Sequence, residues 1–538
     1  MTTTVPTPGP TSRAGVAQTP PSLGAPMSHR EILEALSGLL LALFVAMLSS
    51  TVVSNALPSI VADLHGSQTG YTWVIVATLL TMTATTPIWG KLADLFSKKL
   101  LVQTALAIYV VGSLIAGFAS SMGVLIGARA IQGLGVGGLT ALVQVVIASM
   151  VTPRERGRYS GYLGAVFALA TVSGPLIGGL IVDTPGLGWR WCFFVGIPVA
   201  VLAFGVLQKT LHLPVIRREV HIDYLGATLL MSGVSILLIW VSLAGNDFAW
   251  VSPVSAALVG LGIVLLAATV YVEGYVAREP IIPLRLFKDR TTSLATAASI
   301  MIGLSMFGST VYLSQYFQLA RGMSPTHAGL MSIAMVGGLL VSSIVTGRII
   351  SDTGRWKKFL VSGMVLVIVG MVLLSTIDAH TNLAVVGLFM AVLGLGLGAT
   401  MQNLVLAVQN NAAQADMGSA SALVAFFRSM GGALGVSALG AVLSHQVAAK
   451  VSSGLAALGV PVDSQSSHSI PDLSTLPGPV RAVFEEAFGV ATGHVFLVVT
   501  PFALVALVCV LLIKEVPLRT TLLSDQELAE AATQGQVR

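Results

Sequence analysis

Charge is what this sequence has least of. Only 9% of its 538 residues are Asp, Glu, Lys or Arg, against roughly 25% in a soluble protein, too few to coat a water-facing surface. Cysteine is nearly absent. Cys192 and Cys509 are the two; they fall near opposite ends of their apolar segments, in opposite leaflets, which excludes a disulfide between them and leaves both as packing residues. No P-loop and no nucleophile elbow occurs, the nine histidines are scattered, and no His or Cys group has metal-ligand spacing. ATP hydrolysis, nucleophilic catalysis and a metal centre therefore have no residues to carry them. The sequence reads as no enzyme, with no cofactor and no metal.

What is present is apolar: 54% of the chain, in blocks of about twenty residues, the length that spans a bilayer as helix. Spans are predicted near 33–56, 70–90, 100–118, 122–150, 159–182 and 191–208, then 223–244 and 253–274, then 291–319, 325–347, 357–377, 381–407, 417–444 and 492–513. The fold class is an all-α polytopic membrane protein: two six-helix bundles, 33–208 and 291–513, with two inserted helices and their loops in 209–290. Residues 1–32, rich in Thr, Pro, Ser and Gly, read as a disordered tail, 514–538 as a second tail, and 445–491 as the one long external loop, in which 480–488 has the spacing of a helix lying on the membrane surface.

The net charge of +5 sets topology rather than a nucleic-acid partner. Arg190, Arg321, Lys450 and Arg481 lie in one set of loops, Arg129 and Arg428 inside spans, and every other Lys and Arg in the alternate loops and tails. The positive-inside rule then places both termini in the cytoplasm, in the inner (plasma) membrane. A weak repeat relates the halves: Gly90-Lys-Leu-Ala-Asp94-Leu-Phe-Ser97-Lys98-Lys99 follows the second span, and Gly347-Arg-Ile-Ile-Ser351-Asp352-Thr-Gly354-Arg355 the tenth. Internal repeats of this kind mark transporters with a midplane site.

Beyond the Gly90 to Lys99 turn, three spans carry further motifs. In the fourth span, Arg129-Ala-Ile-Gln132-Gly133 puts a costly cation within the membrane, where it serves a cavity or donates to backbone carbonyls. The following Gly133-Leu-Gly135-Val-Gly137-Gly138 fits G-x-G-x-x-G, but no strand precedes it, so dinucleotide binding is rejected. In the fifth, Ser173-Gly174-Pro175-Leu-Ile-Gly178-Gly179 combines a helix bend with glycines that let a neighbour approach. The first contains Leu48-Ser49-Ser50-Thr51-Val52-Val53-Ser54-Asn55, and no acidic residue lies deep in any span; Glu34, Asp223 and Glu273 sit near span ends.

With these segments the chain resembles the fourteen-spanner drug:proton antiporter branch of the major facilitator superfamily over nearly its whole length. The resemblance implies a gating-loop role for Gly90, Asp94, Lys98 and Lys99, with Gly90 allowing a tight helix exit and Asp94 capping a neighbouring helix. It implies a proton-relay or substrate role for Arg129, Gln132 and Gly133. It also implies an antiporter motif at Gly174, Pro175, Gly178 and Gly179. The chain departs from the branch at Ser49, where many members carry aspartate. A desolvated cation needs a carboxylate, whereas Arg129 and Arg428 suit neutral or anionic groups.

The expected function is proton-driven export of an amphipathic aromatic compound, antibiotic self-resistance against a tetracenomycin-type polyketide being one form. Lipid or glycolipid export, and an uncoupled sensor or channel, remain as rivals. Candidate cavity residues are Asn55, Gln144, Tyr312, Gln315, Gln402, Asn403, Gln409, Phe427 and Arg428. Asp94, Glu273, His494 or an acidic phenol of the substrate are the candidate proton carriers. The expected partners are a small-molecule substrate and the lipid bilayer, the protein acting as a monomer.

Overall fold

A computed structural model describes residues 29–65, 68–184, 186–211, 213, 223–245, 248–458 and 477–520. Most of the N-terminal tail, the centre of the long loop, the far C-terminal tail, and the side chains of Asn55 and Pro175 lie outside the described residues. In hydrocarbon every backbone N–H and C=O must be satisfied within its own segment, so the apolar blocks become helices. Among the described residues the one strand-like pairing is an isolated bridge between Ala244 and Phe248.

The helices, in order, are α1 (His29–Asp63), α2 (Gln68–Leu95), α3 (Lys98–Gly117), α4 (Met122–Met150), α5 (Pro153–Asp183), α6 (Trp191–Phe194), α7 (Gly196–Thr210), α8 (Tyr224–Leu243), α9 (Pro253–Tyr275), α10 (Arg290–Gln315), α11 (Pro325–Met331), α12 (Ile333–Thr353), α13 (Lys357–Leu374), α14 (Leu383–Asn411), α15 (Met417–Ala457) and α16 (Gly478–Leu512). They provide fourteen segments long and apolar enough to cross a membrane. The sixth is α6 with α7 and the tenth includes α11 and α12, each with a hitch between its two helices, and the ninth ends in a π turn over Tyr316–Ala320.

Several boundaries differ from the sequence expectation. The fifth span starts at Pro153, not 159, because proline suits the first helical position, where its missing N–H goes unneeded. The surface helix expected at 480–488 is the beginning of α16, which runs unbroken for 35 residues, about 52 Å, and stands well beyond a 30 Å hydrocarbon core. His494 is thus midway along a helix rather than at its end. Much of the expected loop after 444 is helix too, since α15 continues to Ala457. Gly90 does not mark a helix exit, because α2 continues through it to Leu95. The true glycine stop is Gly354, whose φ of +71° ends α12 in the left-handed conformation that glycine adopts without strain.

Each half has its own core. Buried side chains such as Leu39, Val102, Leu106, Leu139 and Val143 fill the first, and Met364, Met371, Leu393, Tyr316 and Phe496 the second. The inserted α8 rests against both halves, with Leu230, Val234 and Leu238 packed on Ala84 of α2 and Phe426 of α15; α9 lies outside it, little buried. Both described ends share one face. The His29 ring nitrogen Nδ1 lies 2.8 Å from the Tyr159 hydroxyl, and near the same start of α5 Arg154 N–H donates to the Arg519 carbonyl at 3.2 Å. We call this the terminal face.

Candidate functional site: the joint between the halves

At the terminal face the two halves cross at glycines. A methyl on Gly90 would strike Ala422 Cβ and come within 2.8 Å of the Gly418 carbonyl, so α2 and α15 approach here as only glycine permits. One turn later Asp94 reaches the start of α15. Its Oδ1 accepts Gly418 N–H at 2.6 Å, and its Oδ2 accepts the Ser419 N–H at 2.9 Å and the Ser419 hydroxyl at 2.8 Å. First-turn amides have no intrahelical partner, and the helix dipole concentrates positive potential there, so a carboxylate is the group the position calls for. Lys98 lies near enough for its charge to act on Asp94. Lys99 instead donates to the Gln208 carbonyl at 2.7 Å within the first half and is not brought to the joint.

The repeat reappears on the other side of the joint with its polarity reversed. A methyl on Gly157 of α5 would strike the Gly347 carbonyl of α12, as one on Gly418 would strike that of Gly90. The residue four places beyond Gly347 is Ser351, no acid, and the charge comes from α5: Arg154 donates from Nε to the Ser351 carbonyl at 3.2 Å and from Nη2 to the Asp352 carbonyl at 3.1 Å. A cation thus caps the C-terminus of α12 where, across the pseudo-symmetry, an anion caps the N-terminus of α15.

Arg156 makes the third tie. Its Nε and Nη2 hold the Val151 and Ala148 carbonyls at the end of α4, at 2.9 and 2.6 Å, and its Nη1 donates to Gln409 Oε1 of the other half at 2.7 Å. Gln409 passes the bond on to Ser421 at 2.8 Å. Nearby, Gln144 donates to Gln402 across the joint at 3.2 Å, and Asn403 is buried beside them, bonded to the Ala399 carbonyl. Only about 20 Å³ of free space remains among these residues, far below the roughly 300–1,000 Å³ of a drug-sized site. The terminal face is closed.

Arg129 belongs elsewhere. It is the eighth residue of α4, about 10 Å from Met122 and about 31 Å from Met150, hence toward the face opposite the termini rather than at mid-depth. It donates to the Val74 carbonyl at 3.2 Å and to Gln132 Oε1 at 2.6 Å; Gln132 donates to Ser113 at 2.8 Å, and Tyr109 sits against the same groups. These contacts fit the backbone-donor role. Gly133 lies where α4 crosses Thr78 of α2, and Gly135 and Gly138 where it meets α3, so the glycine run packs helices. Gly174 serves α1 likewise: a methyl there would strike Thr51, whose hydroxyl donates to the Ala170 carbonyl at 3.3 Å. Gly178 is buried and Gly179 half-buried farther along the same helix. Ser49 is buried beside the Tyr109 hydroxyl.

The other candidates separate by depth. Arg428 lies eleven residues after Met417, about 16 Å along α15, near mid-membrane. No described group bonds to it or pairs with it. It shares a helical strip with Ser421, which faces α14, and Gly432, which faces Phe307 of α10. Tyr312 donates to the Val436 carbonyl and packs α10 on α15 toward the opposite face, and Gln315 is half-buried one turn beyond it. Phe427 stacks edge-on with Phe287 and Phe426. Glu273 takes the Ile282 N–H on both oxygens, at 3.2 and 3.0 Å, and so clamps the connector after α9, where Lys91 pairs with Glu279 at 2.5 Å. At the opposite face Asp63 accepts from the Trp189 indole at 2.8 Å and pairs with Arg190 at 3.2 Å, which holds its carboxyl below the usual carboxylate range.

Sequence reasoning missed Arg154, Arg156, Gly157, Gly418 and Ser419. The signal for Arg156 was Pro153: a helix begun there puts Arg156 on its first turn, not among loop anchors.

Two six-span halves, crossed at glycines and tied by charge, with two spans inserted between them define a multi-pass membrane transporter, not an enzyme. Residues 39–436 match the family model described as Major Facilitator Superfamily, and the chain belongs to that superfamily. It is 34% identical over 511 residues to the efflux pump dotC of Dothistroma septosporum, covering 93% of this chain and 86% of that one. It is likewise 34% identical over 409 residues to the multidrug transporter protein MdtP of Bacillus subtilis, covering 76% and 75%. In fold it is similar to the proton:xylose symporter XylE, with a TM-score of 0.59 at 14% identity over 88% of this chain and 96% of that one.

Proposed function

We propose that the protein exports an amphipathic, neutral or anionic aromatic compound across the plasma membrane in exchange for protons, by alternating access, as a monomer with the terminal face in the cytoplasm. The observation that carries this reading is the Asp94 carboxylate, which holds the α15 amides of the opposite half and so gives the closed face a tie that one proton can neutralise. Protonation of that carboxylate removes the charge, weakens the joint and lets the face open. The efflux and multidrug names of the two relatives support the outward direction. The placement of Lys and Arg supports the orientation.

Substrate class follows from Arg428. A mid-membrane guanidinium without a carboxylate attracts anionic or strongly polar aromatic groups and repels lipophilic cations. A tetracenomycin-type polyketide, whose acidic phenols also carry protons, is the compound to test first, on the resemblance of Leu48-Ser49-Ser50-Thr51. The test is flux of such a compound in proteoliposomes under an imposed pH gradient. Accumulation against the compound's own gradient, reversed with the pH gradient, is the expected result; flux indifferent to the pH gradient overturns proton coupling.

A further inference from the structure

The described chain does not stop at the end of the last span. After Ile513, itself fully buried, residues 514–519 cross the terminal face as a non-helical strap. The strap answers the helix ends it meets with the opposite charge. Glu515 Oε1 accepts the Trp356 and Lys357 N–H groups, both at 3.1 Å, at the N-terminus of α13. Arg519 Nη2 donates to the Gln409 and Ala412 carbonyls, at 2.8 and 2.9 Å, at the C-terminus of α14. Acid at the positive end and cation at the negative end is the arrangement that helix dipoles favour.

Between these two charges the strap is fastened along its length. The buried Trp356 indole donates to the Val516 carbonyl at 2.9 Å, Asn410 donates to the Pro517 carbonyl at 3.1 Å and accepts Arg519 N–H at 2.9 Å, and Leu518 is buried in the second half's core. The strap then leaves its own half: the Arg519 carbonyl accepts the N–H of Arg154 on α5. Arg154 and Arg156 both tie α5 to the other half, and Arg156 does so through Gln409, the residue whose carbonyl Arg519 holds. Arg156 and Arg519 therefore converge on one glutamine as like charges, a pairing that opposes closure. It is offset by the helix-end carbonyls that Arg156 holds through Nε and Nη2 and Arg519 through Nη2.

We propose that residues 513–519 are a second latch of the closed terminal face, and that Arg519 is its positioning residue, fixing the end of α14 so that Gln409 meets Arg156. This rests on the alternating-access reading, in which closure at Asp94 and closure at the strap must break together. The strap then sets how readily the face opens, and anything that lifts it favours opening.

The experiment uses the full chain in nanodiscs, with spin labels at K209C and K358C, two exposed positions on opposite halves that take no part in the joint. Pulsed dipolar distances report the closed and open populations, and D94N serves as the comparison. R519A is expected to raise the open fraction roughly five- to tenfold, the scale of ordinary coupling energies, with R519K, which keeps the charge at the helix end, returning most of the closed population. Should R519A weaken the fold, E515Q tests the other end of the strap with an isosteric side chain and the same expected direction. A wild-type distance distribution in R519A and E515Q while D94N is shifted overturns the strap and leaves the Asp94 gate standing. Unshifted distributions in all of them overturn both.

Discussion

Asp94 and Ser419 stand 325 positions apart in opposite halves, yet one oxygen of the carboxylate takes both the backbone N–H and the hydroxyl of that serine, at 2.9 and 2.8 Å. Hydrogen bonds to a charged group contribute about 1.5–3 kcal/mol each, and about 1.4 kcal/mol is a factor of ten in an equilibrium. Asp94→Asn keeps the shape, removes the charge and turns one acceptor into a donor facing an N–H. Transport is expected to fall at least tenfold with membrane abundance unchanged, and Ser419→Ala, which removes one bond of three, to fall about threefold. Flux and immunoblot on the same vesicles check this; wild-type flux in Asp94→Asn defeats the gate.

The glycine crossings predict a matched pair of steric variants. A Cβ at Gly90 meets Ala422 and the Gly418 carbonyl, and one at Gly157 meets the Gly347 carbonyl. Backbone cannot retreat as the tip of a flexible side chain does, so Gly90→Ala and Gly157→Ala each hold the terminal face apart. Both are expected to shift the protein toward the open-face state and to cut transport about tenfold or more. The distance between spin labels at K209C and K358C, on opposite halves, reads this out: a larger open population than in the parent is the expected result. An unchanged distribution shows that the halves close with a methyl between them.

The spans were legible because bilayer thickness writes itself into hydrophobic block length, and the six-two-six order followed from counting. The motif at Gly90 and Asp94 was legible as chemistry, a lone acid among basic residues. Its partner was not, since the two N–H groups it holds belong to backbone, which carries no sequence signature. Gly90 was misplaced for a related reason: a glycine near the end of an apolar block reads equally as a helix stop or a crossing point, and only the position of α15 separates them. Arg129 was found as a buried cation, but its depth depends on where α4 begins, and its Val74 partner is again a carbonyl. The ties made by Arg154 and Arg156 were hidden by a boundary error of six residues that turned a helix's first turn into a loop.

At the face opposite the termini, Asp63 joins the end of α1 to Trp189 and Arg190, and both partners lower its pKa. A carboxylate whose folded pKa is depressed contributes stability above its unfolded pKa, about 3.9, and loses it as pH falls through the lower folded value. The difference in melting temperature between wild type and Asp63→Asn is therefore expected to stay constant from pH 7 to pH 5 and to shrink below about pH 4. A difference already vanishing near pH 6 contradicts the assignment. The face opposite the termini thus keeps this tie down to about pH 4.

Arg428 separates a substrate site from a structural arginine more sharply than any other residue in the membrane. A structural arginine that loses its side chain leaves its partners unsatisfied, at about 1–3 kcal/mol for each buried group, and the melting temperature falls. Arg428 has no such partners among the described residues, and a charge near mid-membrane is itself costly. Arg428→Ala is therefore expected to leave the melting temperature unchanged or raise it. Its effect should appear in selectivity. For an aromatic acid and its methyl ester, flux of the acid is expected to drop at least tenfold and that of the ester to stay within about twofold, while Arg428→Lys retains part of the preference for the acid. Arg428→Glu should reverse that preference outright, because the same position then repels the anion. Equal losses for acid and ester, together with a lower melting temperature, would return Arg428 to a structural role and leave the anionic substrate class without its main support.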